Sequence, residues 1–274
     1  MPTFEGSTFS SFYKRIFQVS QTSNTGVDAT TRQIETGDGT NTSLSLSDDV
    51  LQVKPNSDNT TGTMLVKNSG NNNILAVDTT NSKVLVNSGQ VPATTQHAFF
   101  SIDYSSVGNL GTGWAADTHY GVPFNGGHGT SVPIPMGSST SSSFNDTNPA
   151  TTLTVATTAM NVLQGYWYVP DNITIEAVHW FHAADAATGD STAAHLMGYS
   201  LDKDNGSTSG DLTGGTVLAD GATISNAGYE QIYYQNMTIQ SANVDAGSVI
   251  LFCFASDTVN SDYTVQAIVK YFIR

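Results

Sequence analysis

The feature that most constrains this chain is a series of strand-like segments, each too short to cover its own apolar side chains. Four of them occupy residues 49–88, as DVLQVKP, TMLVKN, ILAVDT and KVLVNS. The polar connectors between them consist of turn-forming residues, which is typical of hairpins. A single layer of such hairpins is marginally stable in water, because an apolar face and the backbone edges stay uncovered.

Several copies of the chain around a common axis would cover these faces and close the edges at the same time. We therefore expect residues 21–90 to form a short β stem in a homotrimer. The side chains expected at the trimer interface are Leu65, Leu75, Val77, Val84 and Val86. In the alternative arrangement, the segment packs as extra strands on the rest of the chain, and the protein is a monomer.

An apolar stripe precedes the stem, in residues 1–20. Its members are spaced by three and four residues, as on one face of a short helix, and they are Phe9, Phe12, Tyr13, Ile16 and Phe17. Lys14 and Arg15 lie beside the stripe. An isolated helix of this length is marginal in water, so it must dock on a partner. That partner is either the neighbouring part of the chain or another protein, for which the stripe and its two basic residues would be an anchor.

Residues 91–274 contain longer strand candidates. Only 12% of the chain is charged, and the abundance of Ser, Thr, Asn, Asp and Gly suits turns and short strands better than helices. The candidates are residues 97–104, 151–155, 165–169, 173–181, 194–201, 230–240, 248–255 and 263–273. Strands at this spacing predict a two-sheet sandwich of the jelly-roll type, with residues 111–148 as a long loop. The whole chain is therefore expected to be all-β.

Negative charge is concentrated in residues 91–274. That part carries fifteen acidic and three basic residues, whereas residues 1–90 carry eight and six. Such a surface repels phosphate backbones and anionic membranes, so nucleic acid is not expected among the partners. An equally good interpretation is that the acidic residues only keep the protein soluble and have no role in recognising partners.

Targeting signals are not recognised in the sequence. Every apolar run is shorter than ten residues, so membrane insertion is not expected. The N-terminus lacks the basic start and apolar core of a signal peptide. We expect a protein that is made in a cytoplasm and either stays there or leaves by lysis.

No motif predicts catalysis, and we expect no catalytic residue, no metal and no cofactor. A G-x-S-x-G nucleophile elbow is absent, and the carboxylates are scattered singly, mostly in turns. His179 and His182 lie three residues apart, which puts them on opposite faces of a strand. The stretch at residues 202–211 fails the EF-hand pattern, so a hairpin turn is the simpler interpretation, although a calcium site of another kind stays open. Cys253 lies in an apolar run and is interpreted as a buried hydrophobe.

Aromatic residues cluster in YWYVP, in HWF and in YEQIYY. On a strand, Tyr166 and Tyr168 share one face and Trp167 takes the other. Flat aromatic faces beside polar side chains suit a sugar, so the candidates for glycan contact are Tyr166, Tyr168 and Trp114. Alternatively, one face fills the core of the sandwich and the other fills a subunit interface.

The N-terminal third of the chain resembles a known group of proteins. The segments SFYKRIFQVSQTSNTGVDATTR, SLSLSDDVLQVKP and TMLVKNSGNNNILAVDTTNSKVLV resemble the N-terminal parts of virion proteins of marine tailed bacteriophages. ILAVDTTNSKV is similar to the VD-turn-K/R-V units of many phage fibre stems. The resemblance covers about residues 10–90. It implies a trimeric, non-enzymatic virion component with an N-terminal attachment segment, a stem and an acidic β-sandwich head over residues 91–274.

Two function classes fit this resemblance. The first is structural: a surface fibre or capsid decoration protein on the virion, bound to other virion proteins through residues 1–20. The alternative is adhesive: a short tail fibre that recognises a glycan or a protein on the host surface. A depolymerase ranks last, because such enzymes usually resemble a long parallel β-helix, for which 274 residues are few.

Overall fold

The protein is all-β, as expected, in a computed structural model that forms two compact units, Met1–Ala93 and Thr94–Arg274. All of its strand pairs are antiparallel within the part of the chain that the structure describes. That part comprises residues 16–21, 26–56, 59–86, 91–104, 116–125, 134–135, 149, 153, 165–185, 189–201, 212–227, 231–257 and 262–274. The division between the units lies close to the expected boundary between stem and head. No helix in this part of the chain is long and apolar enough to cross a membrane.

The first unit contains two four-stranded sheets. The strands of the first sheet are β1 (Phe17–Val19), β2 (Arg32–Thr36), β3 (Asn41–Leu46) and β4 (Leu51–Val53). They follow one another in space in chain order. Only β4, from the segment DVLQVKP, is expected from the sequence.

The prediction of a helix for the N-terminal apolar stripe is wrong at the C-terminal end of the stripe. Phe17 opens β1, where it pairs with Thr36, and Ile16 directly precedes the strand. A short isolated helix would be marginally stable, whereas pairing with β2 gives the backbone of this segment interstrand hydrogen bonds. The other residues of the expected anchor lie outside the described part of the chain: Phe9, Phe12, Tyr13, Lys14 and Arg15.

The second sheet contains the other three expected segments. Its strands are β5 (Met64–Lys67), β6 (Asn73–Asp78), β7 (Lys83–Val86) and β8 (Val91–Pro92), again in chain order. The polar connectors are tight turns. In the turn after β5, Asn71 takes the left-handed conformation with φ of 65°, and the Asn68 side chain accepts a 3.0 Å hydrogen bond from the Asn72 backbone. Asparagine is one of the few residues that adopt both roles readily, so the turn residues fix these hairpins.

The second unit is a sandwich of a five-stranded and an eight-stranded sheet. Its strands are β9 (Thr95–Tyr104), β10 (Tyr120–Val122), β11 (Ile134–Pro135), β12 (Trp167–Tyr168), β13 (Ile173–Asp185), β14 (Ser191–Leu201), β15 (Leu212–Asp220), β16 (Ile224–Ser225), β17 (Gln231–Asn236), β18 (Thr238–Ile239), β19 (Asn243–Val244), β20 (Ser248–Ser256) and β21 (Asp262–Ile273). The five-stranded sheet has the order β17-β13-β21-β9, with β19 also on β13. The eight-stranded sheet has the order β11-β10-β20-β14-β15-β18, with β12 on β20 and β16 on β14.

The core lies between the inner faces of these two sheets. Phe100 packs against Phe252 with ring centroids 6.0 Å apart, and Trp180 packs edge-on against Phe254 at 6.1 Å. Each pair joins one strand of the five-stranded sheet to one strand of the eight-stranded sheet, and all four side chains are fully buried. Along β9 and β13 of the five-stranded sheet, buried and outward residues alternate with the two-residue period of a β-strand.

The prediction of a long loop at residues 111–148 is wrong in part, because β10 lies within this range and pairs with β20 in the eight-stranded sheet. The residues after β10 then bond to the edge strand of the other sheet. The Ser101 amide donates to Pro123 O at 3.0 Å, and the Asn125 amide donates to Phe99 O at 2.7 Å. This segment therefore links the two sheets along one side of the sandwich.

Two further strand boundaries differ from the sequence-based expectation. The expected strand at 230–240 is two strands, since β17 joins one sheet and β18 joins the other. Met237 makes the crossing: its side chain is buried in the core, and its amide donates to Val178 O at 2.9 Å. β15 is not expected at all, because Gly214 and Gly215 interrupt its apolar pattern. Gly214 has φ of 62° and lies where the register with β14 shifts, so it allows a bulge rather than ending the strand.

The outer face of the eight-stranded sheet carries a second buried apolar cluster. Its members are Leu153, Met197, Tyr199, Leu212, Val249, Leu251 and Cys253, with Tyr166 packed against them. Leu153, the described residue of the expected strand at 151–155, forms an isolated bridge with Leu212. This sheet is therefore buried on both faces, which the two-layer prediction does not include.

Candidate functional site

The second sheet of the first unit has one wholly apolar face. Two rows of paired residues make up this face, which we call the stem face: Met64–Val77–Val84 and Val66–Leu75–Val86–Val91. None of the seven side chains is buried; all are exposed or of intermediate exposure. The sequence-predicted interface residues Leu75, Val77, Val84 and Val86 thus lie together on one surface.

Leu65 is on the opposite face, although it was expected at the same interface. It pairs with Ala76, which pairs with Leu85. Neighbouring residues of a strand point to opposite sides, so Leu65 cannot contribute to the stem face whatever covers that face. Two of the residues on its side of the sheet, Ala76 and Asp78, are buried.

The first sheet has a similar apolar face that the sequence analysis missed. Its residues share one side by the register of the four strands, and they are Phe17, Val19, Ile34, Leu44, Leu46, Leu51 and Val53. The opposite side is polar, with Gln18, Glu35, Gln33, Ser45 and Gln52. Arg32 is the charged residue on the apolar side, and it is held by Asp28 through hydrogen bonds of 2.6 and 2.9 Å. No side chain of this apolar face is buried.

The outer face of the five-stranded sheet carries a third uncovered surface, which we call the aromatic patch. Its members are Phe99, His179, Phe181, Ile232, Tyr234 and Ile268. They are on one side because His179 pairs with Ile268, Ile268 with Phe99, and Phe181 with Tyr234. Ile232 is 79% exposed and Tyr234 56% exposed.

Tyr234 is fixed in place at the centre of the aromatic patch. Its ring centroid lies 5.0 Å from that of Phe181 and 6.0 Å from that of His179, on which it stacks at 21°. A hydrogen bond of 3.0 Å joins its hydroxyl to Nδ1 of His179. The Tyr234 hydroxyl and Nδ1 of His179 therefore satisfy each other, and the other four members of the patch add only carbon to the surface.

Of the three residues proposed for glycan contact, the structure describes Tyr166 and Tyr168. Tyr168 is 48% exposed on β12, but Tyr166 packs on the second apolar cluster. Trp167, between them, is a core residue whose ring stacks on Phe124 at 5.9 Å. Trp114 lies outside the described residues.

The histidines His179 and His182 lie on opposite faces of β13, as expected, and His182 is buried in the core. Its ring lies between Trp180 at 5.1 Å and Tyr233 at 5.0 Å. Burial lowers its pKa from 6.5 to about 4. The imidazole is therefore neutral at neutral pH and behaves as a packed aromatic ring.

A second buried polar group lies on the outer side of the eight-stranded sheet. Nδ1 of His195 is 2.9 Å from Oδ1 of Asp220, and the His119 ring centroid is 4.9 Å from that of His195. Cys253 donates from Sγ to His195 O at 3.5 Å, and burial strongly raises the pKa of its thiol. Cys253 is fully buried, as its interpretation as a buried hydrophobe requires. In the part of the chain that the structure describes, no group of three or more His, Cys, Asp or Glu side chains is arranged to hold a metal ion.

Comparison with known protein families and with curated proteins found no match to this chain.

Proposed function

We propose that the chain is a non-enzymatic, homotrimeric structural protein of a bacteriophage virion. It is a surface fibre or capsid decoration protein, attached through residues 1–20 and displaying the β-sandwich. The observation that carries this proposal is the pair of uncovered, seven-residue apolar faces on the two small sheets of the first unit.

The partner that best fits these faces is another copy of the same chain. Around a symmetry axis each residue approaches its own copies, so a self-interface must avoid acidic side chains in a chain of net charge −14. The seven side chains of the stem face include no acidic or basic residue. On the apolar side of the first sheet the charged residue is Arg32, and Asp28 neutralises it through two hydrogen bonds. Burial of a half-exposed aliphatic side chain contributes about 1 kcal/mol, so the two faces supply on the order of 10 kcal/mol per copy before the entropy of association is subtracted.

Three copies fit better than two because of the sheet edges. Both small sheets are open, with β1 and β4 at the edges of one and β5 and β8 at the edges of the other. Two sheets packed face to face would cover the apolar surfaces and leave these edges exposed. A closed ring of three copies brings the edges of neighbours together as well. The assignment to a phage particle is supported by the resemblance of residues 10–90 to phage fibre stems.

The native mass of the purified full-length chain tests the assembly. Light scattering is expected to give three times the chain mass of 28.9 kDa. A mass of one chain would contradict the homotrimer, and with it the stem.

Labelling of phage particles tests the location. Gold-labelled antibody against residues 94–274 is expected to decorate the virion. Labelling over the whole head would assign a decoration protein, and labelling at discrete projections would assign a fibre. The proposal would be overturned if particles that carry the gene bound no antibody and mass spectrometry detected no such chain in them.

A short tail fibre that binds a host glycan is the second candidate. It is favoured by the half-exposed ring of Tyr168, which lies beside a buried tryptophan on the eight-stranded sheet. Loss of host adsorption by virions that carry Tyr168→Ala, with the trimer intact, would support this candidate over a purely structural role.

A further inference from the structure

We propose that the aromatic patch is a second self-association surface, through which the sandwiches of neighbouring copies meet in the trimer. The inference deepens the proposed function and rests on its homotrimer. It assigns the patch to contacts between heads, whereas the apolar faces of the first unit account only for contacts between stems.

The composition of the patch favours a protein partner over a sugar. Phe99, Ile232 and Ile268 offer no hydrogen-bonding group, and saccharide hydroxyls need such groups when they leave water. The two polar groups at its centre, the Tyr234 hydroxyl and Nδ1 of His179, are bonded to each other. A ligand with many hydroxyls would find few partners here, whereas a second apolar surface would need none.

The charge distribution favours a second copy over a different protein. Residues 91–274 carry fifteen acidic and three basic residues, so most surfaces of this unit repel their own copies. No Asp, Glu, Lys or Arg belongs to the patch, and its one histidine, His179, is hydrogen-bonded to Tyr234. Lys270, on the same sheet, is neutralised by Glu176 at 3.1 Å. The patch is therefore a surface on which two such acidic units can approach without like-charge repulsion.

The position of the patch gives it a reason to be covered. It includes β17, which is the edge of the five-stranded sheet, and Ile232 on that strand is the most exposed of its side chains. An exposed apolar edge strand is prone to indiscriminate pairing unless something covers it. The other sheet of the sandwich has its outer face buried by its own second cluster. The five-stranded sheet has no such cluster on its outer face among the described residues.

Engineered cysteines test the proposal in the full-length protein, because the native Cys253 is buried and unreactive. Ile232→Cys places a thiol in the patch. Gln266→Cys places one beside it on an exposed residue, and serves if the first variant does not fold. Thr213→Cys, exposed on β15 of the other sheet, is the matched control. Each variant is first shown by light scattering to have the native mass.

A short bis-maleimide is expected to join two of the three chains in each trimer of the patch variants, giving a two-chain species on denaturing gels and leaving the third chain single, because each chain offers one reactive thiol and the reagent has two ends. The control variant is expected to stay as a single chain. A bulky maleimide is expected to label the patch variants more slowly than the control.

Two results would overturn the proposal, and they are distinguishable. A patch thiol that neither cross-links nor is protected in a protein of trimer mass would leave the patch open to an outside ligand such as a saccharide, while the proposed function stands. A mass of one chain would remove the homotrimer, and both proposals with it.

Discussion

The imidazole of His182 lies inside the sandwich as one member of an aromatic stack. Phe254 and Tyr263 approach its ring at 5.8 and 6.3 Å, in addition to the two rings that lie against its faces. Its Nε2 is 3.4 Å from the hydroxyl oxygen of Thr192, a long contact for a hydrogen bond. Such a site accepts a neutral ring and penalises a charged one.

We predict that the sandwich loses stability in mild acid because of this residue. The pKa of His182 is 6.5 unfolded and about 4 folded, so between these values the unfolded chain binds a proton that the folded chain does not. Lowering the pH from 6.5 to 4 therefore favours unfolding, by up to about 3 kcal/mol at pH 4 and below. Urea denaturation at several pH values measures the effect.

His182→Phe separates this residue from the other histidines. The variant keeps an aromatic ring in the stack and cannot take up the proton, so its stability is expected to fall less between pH 6.5 and 4 than that of the native chain. His97→Phe, at an exposed position on β9, is the control and is expected to keep the native slope. Equal slopes in all three proteins would contradict the assignment.

At the scale of elements, β5 offers a direct test of which face of the second sheet is covered. Leu65 and Val66 are neighbours on this edge strand, are 42% and 41% exposed, and point to opposite sides. Val66→Asp is expected to dissociate the proposed trimer, because it would bring three carboxylates together on the stem face at a cost of roughly 1 to 3 kcal/mol per copy. Leu65→Asp is expected to retain the trimer. Sedimentation velocity of both variants measures the outcome.

The reverse result would be informative in a specific way. If Leu65→Asp dissociated the trimer and Val66→Asp did not, the covered side would be the one that carries Ala76 and Leu85. The stem would then be built on the opposite face from the one proposed. If both variants remained trimeric, the second sheet would not be part of the interface between copies.

The strands of this protein could be predicted from sequence wherever turn residues bound a strong apolar pattern. That is why β6, β7, β13 and β20 lie close to their expected positions. The prediction failed where local pattern and tertiary pairing disagree. Phe17 has helical spacing from other aromatic residues, yet its strand pairs with β2, and Gly214 resembles a turn, yet it is a bulge within β15. Local propensity is a weak guide when the backbone partner is distant in sequence.

The surfaces were predictable only in part, for a related reason. A two-residue period shows that His179 and Phe181 share a side of their strand, but not which side faces the core. That choice depends on the register with β17 and β21, which brings Tyr234 and Ile268 beside them. The same limit explains Leu65: its apolar character is evident in the sequence, and the face it occupies is set by pairing with Ala76.

At the scale of the whole molecule, the proposed trimer must reconcile apolar contacts with strong negative charge. Each chain carries a net charge of −14, and association of copies brings these charges closer. Like-charge repulsion between acidic surfaces opposes assembly and is screened by salt, over a Debye length of about 10 Å at 0.1 M and about 3 Å at 1 M. The proposed interfaces contain no ion pair between copies that salt would weaken.

We therefore predict that added salt strengthens the proposed trimer. Dilution series in about 50 mM and about 500 mM sodium chloride, followed by mass photometry, measure the dissociation. At the higher salt concentration, trimers are expected to persist to lower protein concentrations. The variant Val66→Asp adds three carboxylates at the interface, so any trimers that it still forms are expected to depend on salt more steeply than those of the native chain. A trimer that dissociates more readily in high salt would mean that ion pairs rather than apolar faces join the copies. The acidic sandwich surface would then have to supply contacts to the few basic residues, of which Lys270 and Arg274 already bind carboxylates within their own chain.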